Sequence, residues 1–416
     1  MENVYPFVTN DGSVGLYNTE YDDIYHSVKG AYSEAWDKFI SSAELDYYLS
    51  TCNCVRVLDL CYGIGYNSKS LLQKYFDSQK KILKNKKNFF KKNKNQNNSI
   101  DTIHSDNILN KNFSKLSVEA VENDKNLVIY SPIFKNFKNY NIASQELSNK
   151  EIKKYLAKKI KNNYKFENFI NLFILLKIIN SDEFKDEFKN LKNNFQDKDF
   201  TGYFDTNLCR YMRFLLADRY APASVGPLAA FVHNIYYHYI STCYKKGLKA
   251  FNDADVDIKF NICDAREFVK NANRTYNLIF LDAFTTNKCP CLWTYDFFKE
   301  LFRLLDDNGR LITYSNAAHV RNAMMMAGFY VGKIYNKNEN KFTGTIAVKN
   351  KSFIKYPLSE ADLSLVRSKA GIVYRDENLD AENDAILLER ENNVKNSSLL
   401  TSSQALKHGT EVTADV

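Results

Sequence analysis

The sequence predicts an α/β fold: a Rossmann-like, mostly parallel sheet covered by helices on both faces. Three observations predict it. From Val55 onward short apolar runs alternate with stretches of helical periodicity, several runs end on an acid, and a glycine-punctuated turn joins the first run to the first helix. Ligands of such sheets bind beyond the carboxyl ends of the strands, near the reversal of strand order.

The elements follow in order. Val55 to Leu60 is the first strand, Cys61 to Tyr66 the turn and Ser68 to Phe76 the first helix. Leu116 to Val121 is a second strand, ending on Glu122. Asn234 to Phe251 has helical spacing, Val256 to Cys263 is a third strand, and Asn277 to Leu281 is a bare apolar strand ending on Asp282. Tyr295 to Leu305 (helix), Gly309 to Tyr314 (strand), Val320 to Gly328 (helix) and Thr343 to Lys349 (strand) complete the pattern.

Two insertions interrupt it. Asp77 to Lys115 is a low-complexity Lys/Asn stretch, expected to be a poorly ordered surface insertion. In the second, Lys125 to Phe200, Phe166, Ile170, Phe173, Leu176 and Ile179 recur at helical spacing, so a helical lobe is expected. The chain therefore divides into an N-terminal segment (1–54) on the substrate side, a central domain (55–350) with insertions at 77–115 and 125–200, and a C-terminal extension (351–416), partly disordered. Asn392 to Val416 lacks periodicity. The segment Tyr356 to Asp376 is too specific in composition for a random linker and is expected to pack back over the sheet edge.

A chain of 416 residues buries a full core without disulfide or metal staples. No apolar run approaches the ~18–20 residues that cross a bilayer, and Met1 to Asn10 lacks a signal-peptide pattern, so a cytoplasmic protein without a membrane partner is expected. Cys61, Cys209, Cys243 and Cys263 sit singly in apolar segments and read as small buried hydrophobes. Cys52/Cys54 and Cys289/Cys291 are spaced too tightly for the usual structural zinc pairs, and no metal is expected. The net charge of +8 suggests nucleic acid, but its distribution weakens the inference. Residues 77–115 hold ten lysines against three aspartates and residues 125–200 fifteen lysines against nine acids, which leaves the remainder net acidic.

The chemistry concentrates at the strand ends. Asp59, Gly63, Gly65 and Asn67 lie in the strand–turn–helix context that makes a Gly-x-Gly loop meaningful: the glycines admit a ligand to the backbone, and the helix offers unpaired N–H groups. The third glycine of a dinucleotide fingerprint is missing. Glu122 is placed to accept from ribose hydroxyls, or is a solvated strand-end charge. Asp264 is placed to accept from an exocyclic amine, or caps the helix that begins at Arg266. A glycine loop with three strand-terminal acids, Glu122, Asp264 and Asp282, reads as an S-adenosyl-L-methionine site.

Asp282-Ala-Phe-Thr-Thr-Asn-Lys-Cys-Pro-Cys-Leu-Trp293 is the most specific segment. It resembles the Asp-Gly-Phe-Ala-Pro-x-Lys-x-Pro-x-x-Trp segment of the MnmC-type tRNA methyltransferases, which convert the wobble 5-aminomethyl-2-thiouridine to 5-methylaminomethyl-2-thiouridine. Asp282, Phe284, Lys288, Pro290 and Trp293 match; Ala283, Thr285 and Thr286 depart. The loop is similar to that family's Gly-Phe-Gly-Thr-Gly-Leu-Asn, with Cys61 in place of the first glycine. Asp11-Gly-Ser13, Tyr25-His-Ser27, Gly30-Ala31 and Glu34-Ala35 are similar to its N-terminal region. The resemblance implies a class I S-adenosyl-L-methionine-dependent methyltransferase acting on tRNA, in a form without the flavin oxidase half; a separate flavin-dependent oxidase would act upstream. It makes Asp282 the proton acceptor, and Tyr25, His26, Phe284, Lys288 and Trp293 candidates for substrate contact. The plainer alternatives are a solvated Lys288 and a core-packing Trp293. An aminopropyltransferase of the spermidine-synthase-like class and a non-catalytic RNA-binding module are the competing functions.

Overall fold

The computed structural model describes residues 4–11, 13–18, 20, 22–25, 27–79, 114–131, 170–171, 173–174, 177–178, 181–184 and 255–411. It opens with an antiparallel sheet absent from the sequence expectation, β1 (Val4–Val8), β2 (Val14–Asn18) and β3 (Asp23–Ile24). The turn after β1 caps the next helical segment: Ser13 Oγ accepts from Ala31 N (2.9 Å) and Asp11 Oδ2 from Ser33 N (2.8 Å). Gly30 permits this approach, since a Cβ there would lie 2.2 Å from Asp11 Oδ2. The helix Ala31–Glu34 runs on through a π-helical turn, Ala35–Ile40.

The main sheet contains β4 (Cys54–Leu60), β5 (Lys115–Glu122), β6 (Val256–Ile262), β7 (Tyr276–Leu281), β8 (Leu305–Thr313), β9 (Tyr330–Asn336) and β10 (Lys341–Val348), in the order β6-β5-β4-β7-β8-β10-β9. Strands β4 to β8 pair in parallel, and β10 runs antiparallel to β8 and β9. This is the expected α/β class. The chain winds outward from β4 to β6 and then restarts at β7 on the other side of β4, so the switch point lies between β4 and β7. Alternation along the strands fills both faces: Leu278 and Phe280 of β7 join one core, Ile279 and Leu281 the other.

Where element bounds differ from expectation, local chemistry explains it. Helix Tyr295–Leu304, capped by Thr294 Oγ1 on Phe297 N (3.0 Å), buries Phe297, Phe298, Leu301 and Leu304 and passes directly into β8. The polar Asp306 to Asn308 resembles a turn in sequence but lies within the strand. Strand β9 carries no strand signal in the sequence because Gly332 and Lys333 break its apolar run. Of the inserted lobe, the described residues 170–171, 173–174 and 177–178 are helical, and Ile170, Phe173, Ile174 and Ile178 pack into the core beside β5 and β6. Phe166, Leu176, Ile179, most of the first insertion and Asn234 to Phe251 lie outside the described residues.

The C-terminal extension corrects the expectation of a loose tail. Helices Glu360–Val366, Asn383–Asn396 and Ser402–Glu411 carry order through residue 411. Asn383–Asn396 buries Ile386 alone among its residues, so no periodic signal betrays it; Arg390 Nε donating to Ile372 O (2.6 Å) helps hold it. As expected of the segment Tyr356 to Asp376, Pro357 bridges Gly332 at the β9 edge. Its far end does something unforeseen: Tyr374 pairs with Thr294, bringing the tail to the β7 loop.

Candidate functional site

A cavity of about 190 Å³ opens beyond the carboxyl ends of β4 to β7. Gly63, Glu122, Asp264 and Asp282 line it together with Tyr25 and Phe284, so six of the sequence candidates converge on one space. Such convergence is what the switch point provides: Gly63, Glu122, Asp264 and Asp282 stand at the ends of four neighbouring strands, β4 to β7, while Phe284 extends the β7 loop and Tyr25 comes from the N-terminal sheet.

The glycine loop takes its shape from left-handed residues at three alternate positions, Cys61 (φ +62°), Gly63 (φ +55°) and Gly65 (φ +79°). Gly63 lines the cavity, and Gly65 lies behind it, where a Cβ would strike the Tyr62 ring. Cys61 adopts a conformation suited to glycine, at a cost of about 1–2 kcal/mol. Asp59 does not line the cavity. It is buried beneath the loop, where Oδ2 accepts from Ser68 Oγ (2.6 Å), while Oδ1 has no donor among the described residues. Burial raises its carboxyl to about 7.

Glu122 ties the second strand to the loop: Oε2 accepts from Gly63 N (2.8 Å), and Oε1 from Asn123 N and Asp124 N. Burial raises its carboxyl, and the three N–H groups oppose that shift. Asp264 is exposed and caps helix Ala265–Asn271 through Arg266 N (2.7 Å), the plainer of its two readings, while still lining the cavity. Asn67 reaches across the switch point to donate from Nδ2 to Asp282 Oδ2 (2.9 Å). Burial raises Asp282 to about 8, the Glu34 carboxylate adds to the shift, and the Asn67 hydrogen bond and Lys38 oppose it. Glu34 is itself held by Ser27 N (3.0 Å) and Lys38, whose ammonium sits over the Tyr314 ring. Glu34 belongs to the family-like Glu34-Ala35 pair without a role read for it, and neither Lys38 nor Tyr314 carries a signal in the sequence; the helix Ala31–Glu34, the π-helical turn and the end of β8 bring the three to the site.

Among the substrate-side candidates, the Tyr25 and Phe284 rings meet at a tilt of 59° with centroids 4.8 Å apart in the cavity wall. Lys288 stands outside the cavity and pairs with Asp22 (3.5 Å), while Thr285 Oγ1 donates to Asp23 Oδ2 (2.9 Å); the N-terminal hairpin thus latches onto the β7 loop. Trp293 is fully buried and donates from Nε1 to Phe284 O (2.9 Å), so it packs beneath the loop instead of stacking on a ligand. His26 lies outside the described residues.

Arg266 and four cysteines were missed as site components. Arg266 donates to Asp264, to the buried Asp376 (3.0 Å) and to Ala381 O (2.8 Å), coupling the tail to the cavity. Cys61, Cys263, Cys289 and Cys291 line the cavity; Cys61 and Cys263, read as small buried hydrophobes, do pack against the core but are only half-buried and turn to the cavity as well. Cys209 and Cys243 lie outside the described residues. Cys52 and Cys54 sit at the opposite end of β4, about 20 Å away along a seven-residue strand, so the two Cys-x-Cys pairs do not converge. No helix among the described residues is long and apolar enough to cross a membrane.

Residues 227–350 match the family model of S-adenosyl-L-methionine-dependent methyltransferases. An uncharacterised protein of Methanocaldococcus jannaschii is 35% identical over 148 residues, covering 35% of this chain and 41% of that protein. The tRNA 5-methylaminomethyl-2-thiouridine biosynthesis bifunctional protein MnmC of Haemophilus ducreyi is 28% identical over 133 residues, 30% of this chain and 19% of the relative. Its counterpart from Burkholderia vietnamiensis is 30% identical over 120 residues, 29% and 16% of the two chains. The chain thus spans less than half the length of these relatives. The crystal structure of MNMC2 from Aquifex aeolicus superposes with a TM-score of 0.53 at 19% identity, covering 95% of this chain and 86% of the other, a likeness of fold. Sheet order, family match and these relatives together show a class I S-adenosyl-L-methionine-dependent methyltransferase fold homologous to the methyltransferase domain of the MnmC-type proteins.

Proposed function

We propose that this chain methylates tRNA with S-adenosyl-L-methionine, converting the wobble 5-aminomethyl-2-thiouridine to 5-methylaminomethyl-2-thiouridine. The convergence of Gly63, Glu122, Asp264 and Asp282 on one cavity carries the reading. The residues fit the methyl donor: Gly63 presents bare backbone to the cavity, Glu122 is an acceptor for ribose hydroxyls, Asp264 faces an amine, and Val121 and Leu292 offer apolar walls.

When bound, S-adenosyl-L-methionine supplies an electrophilic methyl group on a sulfonium. The chain's own task is to orient a primary amine and take its proton. Asp282, oriented by Asn67, serves as acceptor, and its raised pKa brings it near the range where a base both exists and holds a proton. Tyr25 and Phe284 wall the approach and exclude water. The reading places a flavin-dependent oxidase upstream as the source of the aminomethyl group.

Nucleoside mass spectrometry of tRNA incubated with enzyme and donor tests the function. Gain of one methyl on the aminomethyl nucleoside is expected; no change, or gain of an aminopropyl group from the decarboxylated donor, defeats it. Asp282→Ala is expected to lower turnover by about 10²–10⁴-fold. Near-normal turnover with normal donor binding would remove Asp282 from the mechanism.

A further inference from the structure

We propose that Cys289-Pro290-Cys291 is a thiol–disulfide exchange site in the cavity wall, which a low-molecular-weight disulfide oxidises to a Cys289–Cys291 disulfide incompatible with methyl-donor binding. The donor-binding half of this inference rests on the function proposed above; the thiol chemistry stands on the geometry alone.

The two sulfurs lie 3.6 Å apart, and a disulfide of about 2.05 Å requires only a short further approach. Their neighbourhood is fixed. Pro290 restricts the backbone between them and begins the 3₁₀ turn Pro290–Trp293. Asn383 Oδ1 accepts from Cys291 N (3.3 Å), and Trp293 anchors the far end of the turn to Phe284 O. The thiols are therefore held as a pair instead of swinging apart. Both line the cavity, so a small disulfide reaches them from the space the donor would fill.

The pair is also asymmetric. The contact with the Cys289 sulfur and then the Arg266 guanidinium draw the Cys291 thiol below its ordinary pKa against the opposing effect of burial, while the same contact and burial raise Cys289. Arg266 is kept in place by Asp264 and Asp376. Cys291 is accordingly the attacking thiolate and Cys289 the resolving thiol. Cys291 sulfur attacks one sulfur of R–S–S–R, the S–S bond breaks, and the leaving R–S⁻ takes up the proton Cys291 lost. Cys289, losing its own proton, then attacks the Cys291 sulfur of the mixed disulfide and expels the second R–S⁻, which is protonated in turn. Two cysteine thiols are oxidised and one small disulfide is reduced to two thiols.

A disulfide across a single intervening residue closes a small ring, so the wall formed by Cys289, Cys291 and Leu292 must move as the bond forms. Because each process excludes the other from one space, linkage makes the effect reciprocal: the donor protects the thiols and the disulfide repels the donor.

The test treats the purified full chain with oxidised glutathione and maps peptides under non-reducing conditions. The expected result is loss of two hydrogens in the peptide holding both cysteines, reversal by dithiothreitol, and a fall of about tenfold or more in S-adenosyl-L-methionine affinity by calorimetry. S-adenosylhomocysteine should slow the oxidation of the unaltered chain, a readout that needs no variant to fold. In Cys289→Ser the reaction should stop at a glutathione adduct on Cys291. Glutathione adducts on Cys52 or Cys54 while Cys289 and Cys291 stay reduced would overturn the proposal. Reduced protein that binds no donor would defeat the proposed function, whereas reduced and oxidised protein binding it equally would defeat the switch alone.

Discussion

Asp282→Asn should stabilise the fold at alkaline pH while removing the proton acceptor. The folded carboxyl titrates near 8 against an ordinary 3.8, so the site favours the neutral acid. Below about pH 4 the carboxyl is protonated whether the chain is folded or unfolded, and its charge costs the fold nothing. Between pH 4 and 8 the unfolded chain ionises freely and the folded chain resists, so stability is lost as pH rises, and the full cost is present above pH 8. Taken at face value the gap corresponds to about 6 kcal/mol. Asp282 is only half-buried and its charged form is served by Asn67 and Lys38, so we expect about 1–2 kcal/mol. Asparagine keeps an oxygen to accept from Asn67 Nδ2 and carries no charge. In thermal unfolding followed by circular dichroism, the variant should exceed the unaltered chain by about 2–5 °C at pH 8.5 and by less than about 1 °C at pH 4.5. An equal gap at both pH values, or a less stable variant at pH 8.5, would refute the reasoning that desolvation raises this group.

Two further outcomes follow from the same geometry. Cys61→Gly relieves a left-handed residue but adds freedom to the unfolded chain, so a net gain of about 0.5–1 kcal/mol is expected in urea unfolding. Arg266→Ala leaves Asp376 buried without its guanidinium and frees Ala381 O; a loss of about 3–4 kcal/mol is expected, with weakened donor affinity because the tail no longer braces the cavity.

The parts legible in the sequence are those where one local rule decides. The apolar run of β7 ending on Asp282, and β5 ending on Glu122, announce parallel strands whose ends carry chemistry. Gly63 and Gly65 announce a turn with left-handed residues. What escaped depends on partners distant in sequence. Trp293 lies in a segment that looks like a ligand-binding motif, yet its indole serves Phe284 from below. Glu34 and Lys38 look like an ordinary i, i+4 surface pair, yet the fold sets them against Asp282. Helix Asn383–Asn396 has almost no buried face of its own and is recognisable only through Asn383 and Arg390, which grip the cavity turn and the preceding strand of tail.

The sequence by itself determined the α/β class, the strand ends that bear acids and the glycine loop, because periodicity and backbone conformation are local properties. Only the tertiary structure decided which groups share the cavity: that Arg266 joins the tail to it, that Asp59 supports it from beneath, and that Cys61, Cys263, Cys289 and Cys291 face it together. Convergence at a switch point arises from pairing strands far apart in the chain, and no local pattern encodes the distance between side chains that such pairing brings together.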